Sequence, residues 1–319
     1  MIDRKLAGTP TVDRSVNLSR GVEPRILVIS PVRNEAAHIE LVVRCVAAQE
    51  LPPERWIVVD DNSDDATLEI LRRLEEEVPF LEVYESGALQ EDVADRLAKA
   101  AAPRTFNKGL KAAGDWREYT HVMKLDGDIE LRPDYFKELM ARFDADPDLG
   151  LACGVLDEPV ESGGYRHIKI PRVHVHGALK LYTRECFEAI GGVQNRLGWD
   201  TIDETYARMR GFKAWSFPEL VSIHHRPLGS ADGTVRGHAR HGECAYIAHF
   251  TPTWVALRSI KVARRRPFGL SGLAFFYGYV RAAFRRVERV ADPEYRRFTH
   301  GELRRRLIAM VLSRQSGAR

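Results

Sequence analysis

Two aspartates one glycine apart, Asp126-Gly127-Asp128, close the segment HVMKLDGD, which reads as a buried strand ending in acid. Two carboxylates hinged on a glycine can reach one divalent cation, and their hard oxygens suit Mn²⁺ or Mg²⁺. An ion held there would bridge to phosphate oxygens and stabilise charge on a departing diphosphate. Asp-Gly between apolar runs is also a strong hairpin-turn signal. The following RPDYFKEL has helical character, which weighs against a returning strand. An EF-hand is excluded because its further ligands and terminal glutamate are missing.

Three other groups carry chemistry. Asp60 and Asp61 end the run RWIVVDD, where carboxylates either accept bonds from a ribose or a base N–H, or cap a helix. GWDTIDE places Asp200, Asp203 and Glu204 at a helix start. One of them can serve as a general base toward a hydroxyl nucleophile, or all can be partners of the helix dipole. Asp200 is the first candidate, because it adjoins Trp199, an aromatic able to stack on an acceptor sugar. HHRP offers His224 and His225, and neighbours on a strand point to opposite faces, so at most one meets a metal. No GxGxxG, GxxxxGK[ST] or GxSxG pattern is present, which leaves dinucleotide-binding, P-loop and serine-hydrolase chemistry unsupported.

These groups need elements to hold them. RILVIS (25–30) and RWIVVDD (55–61) are continuous apolar runs of the kind buried in parallel sheets, and LEVYES (81–86) is a third strand. Between them, Ile39, Val42 or Val43, Val46 and Ala47 mark one helix face, and Leu68, Leu71 and Leu74 another, capped by Ser63 or Asp64. Further strands are predicted at 119–125, in LGLACGVL, at the start of VHVHGALKLYTRECFEAIGG and in AWSFPELVSIHHRP. Helices are predicted after Pro133, before Gly191 and from Trp199 to Gly211. Such alternation predicts an α/β sheet, mostly parallel, with ligands beyond the carboxyl ends of its strands.

The 319 residues suffice for a large core, and 44% hydrophobic with 29% charged residues is ordinary globular composition. A net charge of +3 gives no reason to expect nucleic acid as partner. The charge is uneven, however: residues 258–319 hold 16 Lys/Arg against four acids, and the remainder 32 against 41. A basic tail on an acidic body points to an anionic surface, membrane lipid first. Cys45, Cys153, Cys186 and Cys244 are scattered singly, which fits reduced cytoplasmic thiols rather than a zinc site or disulfide scaffold. The first 24 residues have no apolar core and read as a loose polar tail, not a signal peptide.

In order, these segments resemble family 2 glycosyltransferases, inverting enzymes of the GT-A fold. ISPVRNEAAHIELVVRCVAAQELPPERWIVVDDNSDDAT is similar to their N-terminal signature, RTFNKGLKAAGDWREYTHVMKLDGDIEL to the stretch bearing the DxD motif, and HGALKLYTRECFEAIGG to the segment before the catalytic acid. The resemblance covers about residues 25–227. It implies a GT-A catalytic domain over 25–235, with a helical extension over 236–319. It implies a nucleotide-sugar donor, UDP-linked first, and a saccharide or lipid-linked acceptor in polysaccharide, glycolipid or cell-envelope glycan synthesis. By the same resemblance, Asp61 contacts the nucleoside, with Asp60 beside it, and Asp126 with Asp128 engages the metal and diphosphate. Pro31, Arg33, Asn34, Glu35, Asn107, Lys108 and Gly177 fall in donor-pocket segments, and His224 or His225 stands where a late metal ligand is found. The family's base is the aspartate of a Glu-Asp pair, and counting back from Gly211 gives Asp200, with Trp199 in the glutamate's place. The base assignment therefore stays open between Asp200 and Asp203.

The apolar stretch 267–280 is too short to span a bilayer and has arginines on both sides. It is either an interfacial segment drawn to anionic lipid at the inner face of the plasma membrane, or helices packed on the catalytic domain. Two rival functions are a nucleotidyltransferase of related architecture and a non-catalytic nucleotide-sugar-binding protein. The first would need a glycine- and arginine/lysine-rich loop after its first strand, which SPVRNEAAH lacks.

Overall fold

A computed structural model describes residues 22–87, 100–160, 163–226, 234–264 and 267–316, with side chains to 310 in the last helix. Most of the expected polar tail, and the stretch 227–233 beside the expected domain boundary, lie outside the described residues. Strands β1 (Ile26–Val32), β2 (Arg55–Asp60), β3 (Leu81–Glu85) and β4 (His121–Leu125) form a parallel set in the order β3-β2-β1-β4. Their apolar runs are covered on both faces: Leu27, Val28, Ile29, Trp56, Ile57 and Val58 are wholly buried. Each aliphatic side chain so buried is worth about 1.5–3 kcal/mol. Helices α1 (Ile39–Ala47), α2 (Thr67–Glu77) and α3 (Ala101–Ala112) connect them. The cap expected from Ser63 or Asp64 is not made. Helix α2 starts at Thr67, whose N–H donates to the Asp65 carboxylate at 3.0 Å, because Ser63 is engaged in the preceding loop.

Beyond β4 the sheet is mixed rather than parallel. Strand β5 (Ile129–Glu130) and helix α4 (Tyr135–Ala145) lead to β6 (Leu149–Pro159), with β7 (Tyr165–His167) as its antiparallel appendage. Strand β8 (Leu179–Thr183) runs antiparallel to both β4 and β6, while β9 (Lys213–His224) runs parallel to β6 and pairs with β5. The reason is connection length: β6 ends at the edge where β4 ends, and the loop that follows brings β8 in from that same edge, so β8 must run back. His174 and His176 consequently sit in a loop before β8, not in the strand expected there.

The Asp-Gly-Asp segment is no hairpin. Strands β4 and β5 do not pair with each other, since β5 pairs with β9. Gly127 is required by close approach rather than by bending: a Cβ on it would stand 2.7 Å from Val32 Cγ1 and 3.3 Å from Glu35 Cγ.

Helices α5 (Arg184–Ala189) and α6 (Trp199–Met209) flank β8. The remainder of the described chain is helical, as expected: α7 (Thr234–Ile247), α8 (Pro252–Val262), α9 (Leu270–Phe284) and α10 (Pro293–Ser316). These pack as a layer around α6, with Ile202, Ile247, Val290 and Tyr295 in a second core. Among the described residues no helix is long and apolar enough to cross a membrane.

Candidate active site

Parallel register brings the ends of β1, β2 and β3 to one edge, with Val32 opposite Asp60 and Asp60 opposite Glu85. The loops that leave this edge are locked to each other. Asn34 takes a left-handed φ of 54°, which asparagine tolerates. Its side-chain oxygen accepts from Asp64 N–H at 3.0 Å, and its own N–H donates to Ser63 Oγ at 2.9 Å. Asp60 is buried and accepts from both the N–H and the hydroxyl of Ser63, so it shapes the loop. Asp61 accepts from Ser86 Oγ at 2.9 Å, and Lys108 donates to the Ser86 carbonyl at 2.7 Å. Arg33 donates to the Asp61 carbonyl at 3.2 Å. Pro31, inside β1 opposite Val59, contributes to this edge through the backbone.

Beside this edge lies a concentration of carboxyl groups. Asp126 leaves a third of its side chain open, yet burial pushes its pKa up; Lys124, which donates to it, opposes the rise and the Asp128 charge adds to it. Glu35 is pushed up to about 8 by burial and by Asp128, although Arg226 donates to it at 2.7 Å. Asp128 is held below the usual range: burial opposes its charge, but the His224 contact outweighs it. His224 Nε2 lies 3.3 Å from Asp128 Oδ2, and its Nδ1 lies 3.9 Å from Glu158 Oε1. Burial disfavours the imidazolium here too, yet the bond to Asp128 and the surrounding acids raise its pKa. Crowded carboxylates with an imidazole at their edge are a donor set suited to a divalent cation. Among the described residues no three His, Cys, Asp or Glu side chains enclose an ion unaided. His225 turns the other way, to Glu130 Oε2 at 2.9 Å and into a stack with His38 at 5.2 Å. The alternation at the end of β9 thus turns His224 toward Asp128 and Glu158, and His225 toward Glu130.

A buried lysine links this cluster to the acids of α6. Lys124 donates to Asp126 and, at 2.9 Å, to the carbonyl of Gly177. Gly177 packs flat on Trp199; a Cβ there would stand 3.0 Å from the indole and 3.5 Å from Asp200 Cβ. Lys124 and Lys180 approach the same indole, at 5.4 and 5.2 Å from its ring.

The three acids of α6 then part company. Asp203, 3% exposed, accepts from Lys180 at 3.0 Å and from the Tyr182 hydroxyl; burial pushes it up to about 6 against the pull of Lys180. Glu204 is buried between Val175 N–H at 2.8 Å and His174 Nδ1 at 2.9 Å. Burial opposes its charge, but His174 and Lys180 prevail and hold it down at about 2. Asp200 alone of the three stays partly open, and among the described residues its carboxylate is bonded only to the N–H of Thr201 at 2.9 Å.

Asn107 is drawn elsewhere. Its amide donates to Val193 O and Asn195 Oδ1, at 2.8 and 2.7 Å, and lines a separate cavity of about 250 Å³ with Trp116 and Phe187. Lys124, Lys180, His174, His176 and Arg226 belong to no motif in the sequence, yet all five sit at or beside these acids. A signal existed for the two lysines, each a lone charge inside a buried strand run, a position that demands a partner. His176 is buried with Nε2 unbonded, and burial takes its pKa down to about 4.

Known proteins share this fold. A mannosyltransferase from Pyrobaculum calidifontis, in complex with GDP-Man and Mn²⁺, superposes with a TM-score of 0.52 at 20% identity over 92% of this chain and 87% of its own. TarS from S. aureus, in complex with UDP-GlcNAc, gives 0.51 at 16% identity over 82% and 73%. At these identities the likeness is one of fold, the GT-A glycosyltransferase fold. In sequence, the poly-β-1,6-N-acetyl-D-glucosamine synthase of Staphylococcus aureus strain COL is 30% identical over 121 residues, 38% of this chain; the match spans about a quarter (26%) of that synthase. The model of the family described as glycosyl transferase family 2 matches residues 27–196, more than half of the chain, running from β1 past the acid pair to the threshold of α6. Because that model covers more than half of the chain, the chain belongs to glycosyl transferase family 2.

Proposed function

We propose that the protein transfers a sugar from a nucleotide-diphosphate sugar to an acceptor hydroxyl, with inversion at the anomeric carbon. The observation that carries this reading is Asp200. It is the one partly open carboxylate of α6, and Trp199, Gly177 and Lys124 connect it to Asp126. As the acceptor oxygen attacks the anomeric carbon and the bond to the diphosphate breaks, Asp200 takes the hydroxyl proton. Asp203 and Glu204 are poor candidates, because their oxygens are buried and committed to Lys180, Tyr182, His174 and Val175. Asp126, Asp128 and His224 would hold Mn²⁺ or Mg²⁺, whose charge offsets that of the departing diphosphate. Asp61, with the Ser86–Lys108 contact behind it, serves the nucleoside. The half-buried Trp199 gives the acceptor ring an apolar edge beside the base.

The ligands of the structural neighbours, UDP-GlcNAc and GDP-Man, support a nucleotide-sugar donor, and a UDP-sugar is the first choice. The acceptor is a saccharide or a lipid-linked hydroxyl in polysaccharide, glycolipid or cell-envelope glycan synthesis. Residues 25–235 carry the chemistry, and 236–319 form the extension.

A thermal-shift screen of nucleotide sugars with and without Mn²⁺ tests the donor: one donor should raise Tm by mass action, more strongly with the ion. No response to any nucleotide sugar would sink the reading. Asp200→Asn should keep that shift and lose turnover by about 10²–10⁴-fold. Undiminished turnover would remove Asp200 from the mechanism, and donor binding without turnover in the wild type would favour a binding protein.

A further inference from the structure

Helix α9 is apolar on two sides. Its inward side buries Phe275 and Tyr279 in the helical layer, beside glycines where the helices close tightly: a Cβ on Gly278 would strike the backbone of Ala239 on α7, and one on Gly272 the backbone of Ser259 on α8. Its outward face carries the bulk, with Leu273 67%, Tyr277 59% and Phe284 84% exposed and Phe276 beside them. Positions 273, 276/277, 280 and 284 repeat at three to four residues, so these side chains form one stripe along the helix. Leu257 and Ile260 of α8, 51% and 61% exposed, extend the stripe sideways. A helix packed on one side needs only one apolar side, which Phe275 and Tyr279 already supply, so the outer stripe is surplus to that packing. Here the glycines are used to bring α7, α8 and α9 backbones together, and the aromatic side is left for a second partner.

The charge around the stripe says which partner. Between Arg258 and Arg286 there are eight Lys/Arg and no acid. Lys261, Arg264, Arg281, Arg285 and Arg286 are all exposed. A second copy of the chain, joined face to face about a two-fold axis, would set this basic rim against itself. An anionic bilayer complements both parts, because headgroups accept the arginines while the apolar stripe enters the acyl boundary.

We propose that the outer face of α8 and α9 seats in the interface of an anionic membrane. The face is joined to the site through α7. That helix packs on α9 and puts Cys244 against Gly198, the residue preceding α6, with 3.2 Å between the Cys244 Cβ and a Cβ built on Gly198. One helix layer thus separates the bilayer from Asp200. This favours an acceptor presented on a lipid, a consequence that rests on the proposed transfer reaction, whereas the membrane seat does not.

Flotation of the full chain with vesicles of phosphatidylcholine, alone or mixed with phosphatidylglycerol, tests the seat. The protein should float with the mixed vesicles only, and added salt should release it. Arg281→Gln and Arg285→Gln should each weaken binding by about fivefold. Leu273→Glu combined with Phe276→Glu should abolish it, with Tm and the donor-induced shift as in the wild type. Should that double variant fail to fold, Phe284→Ser at the most exposed position gives the same reading. Wild-type protein that stays unbound overturns the proposal, as does equal binding by a folded Glu or Ser variant. A wild-type dimer in solution that Leu273→Glu splits would assign the face to a second copy instead.

Discussion

Lys180 donates to the backbone oxygen of Asp200 at 2.9 Å and to the carboxylate of Asp203 at 3.0 Å, so one buried ammonium holds the open acid and the closed one together. Two acids three residues apart on one helix thereby acquire different roles. Asp203 spends its charge neutralising Lys180, and the ammonium pins the first turn of α6, which aims Asp200.

Removing that ammonium should be costly twice over. Lys180→Met leaves Asp203 and Glu204 buried without their shared counter-charge, a loss of about 3–5 kcal/mol. Urea denaturation reads the stability loss. In the protein that remains folded, kcat should fall with little change in donor affinity. A variant as stable as wild type would show that the network does not neutralise Asp203 as described.

The two neighbouring histidines should separate cleanly. His224 faces Asp128, while His225 is held by Glu130 and stacked on His38. His224→Ala is expected to raise the Mn²⁺ concentration needed for half-maximal activity by about tenfold or more. His225→Ala should leave it within about twofold on the same scale. Equal effects, or the reverse order, would mean the strand presents the other ring.

The His174–Glu204 pair gives a pH dependence with a definite sign. Glu204 raises the His174 pKa against burial, so that contribution is complete below the unfolded value of about 6.5 and fades as pH rises through the raised one. Glu204, held down at about 2, contributes above its unfolded value and loses this only as pH falls toward 2. The Tm difference between wild type and His174→Gln should therefore be larger near pH 6 than near pH 8.5, by about 2 °C. The imidazole is a third exposed, which keeps the effect near about 1 kcal/mol. A difference that does not change with pH would show that the contact carries no charge.

The glycine contacts of the helical layer can be tested apart from its outer face. Gly278→Val puts a branched side chain into the Ala239 backbone on α7 and should cost about 1–3 kcal/mol by thermal melting. Leu273→Ser, on the opposite side of α9, should stay within about 0.5 kcal/mol. If the two variants melt alike, α7 and α9 are not packed through Gly278.

Local pattern alone revealed much of this protein. Continuous apolar runs marked β1 and β2, shorter apolar stretches marked β3 and β4, and the abrupt acidic ends of β2 and β4 marked Asp60, Asp61, Asp126 and Asp128 at one sheet edge, because a parallel sheet puts all its strand ends together. Period-two alternation stated that His224 and His225 must diverge. Sequence spacing could not say which of them meets the acids, since that depends on the register Ile129 opposite His224. Nor could it tell Asp200 from Asp203: both are aspartates in the first turns of one helix. Only the tertiary structure separates them, by setting Lys180 and Tyr182 of β8 against Asp203 and leaving Asp200 partly open. The Asp-Gly-Asp segment is a case of both. Its letters stated two acids on a flexible joint. Pairing of β5 with β9 instead of β4 removed the hairpin, and the contact of Gly127 with Val32 and Glu35 showed that the glycine is there for closeness. Burial and partner choice are properties of distant segments brought together, and no short stretch of sequence carries them.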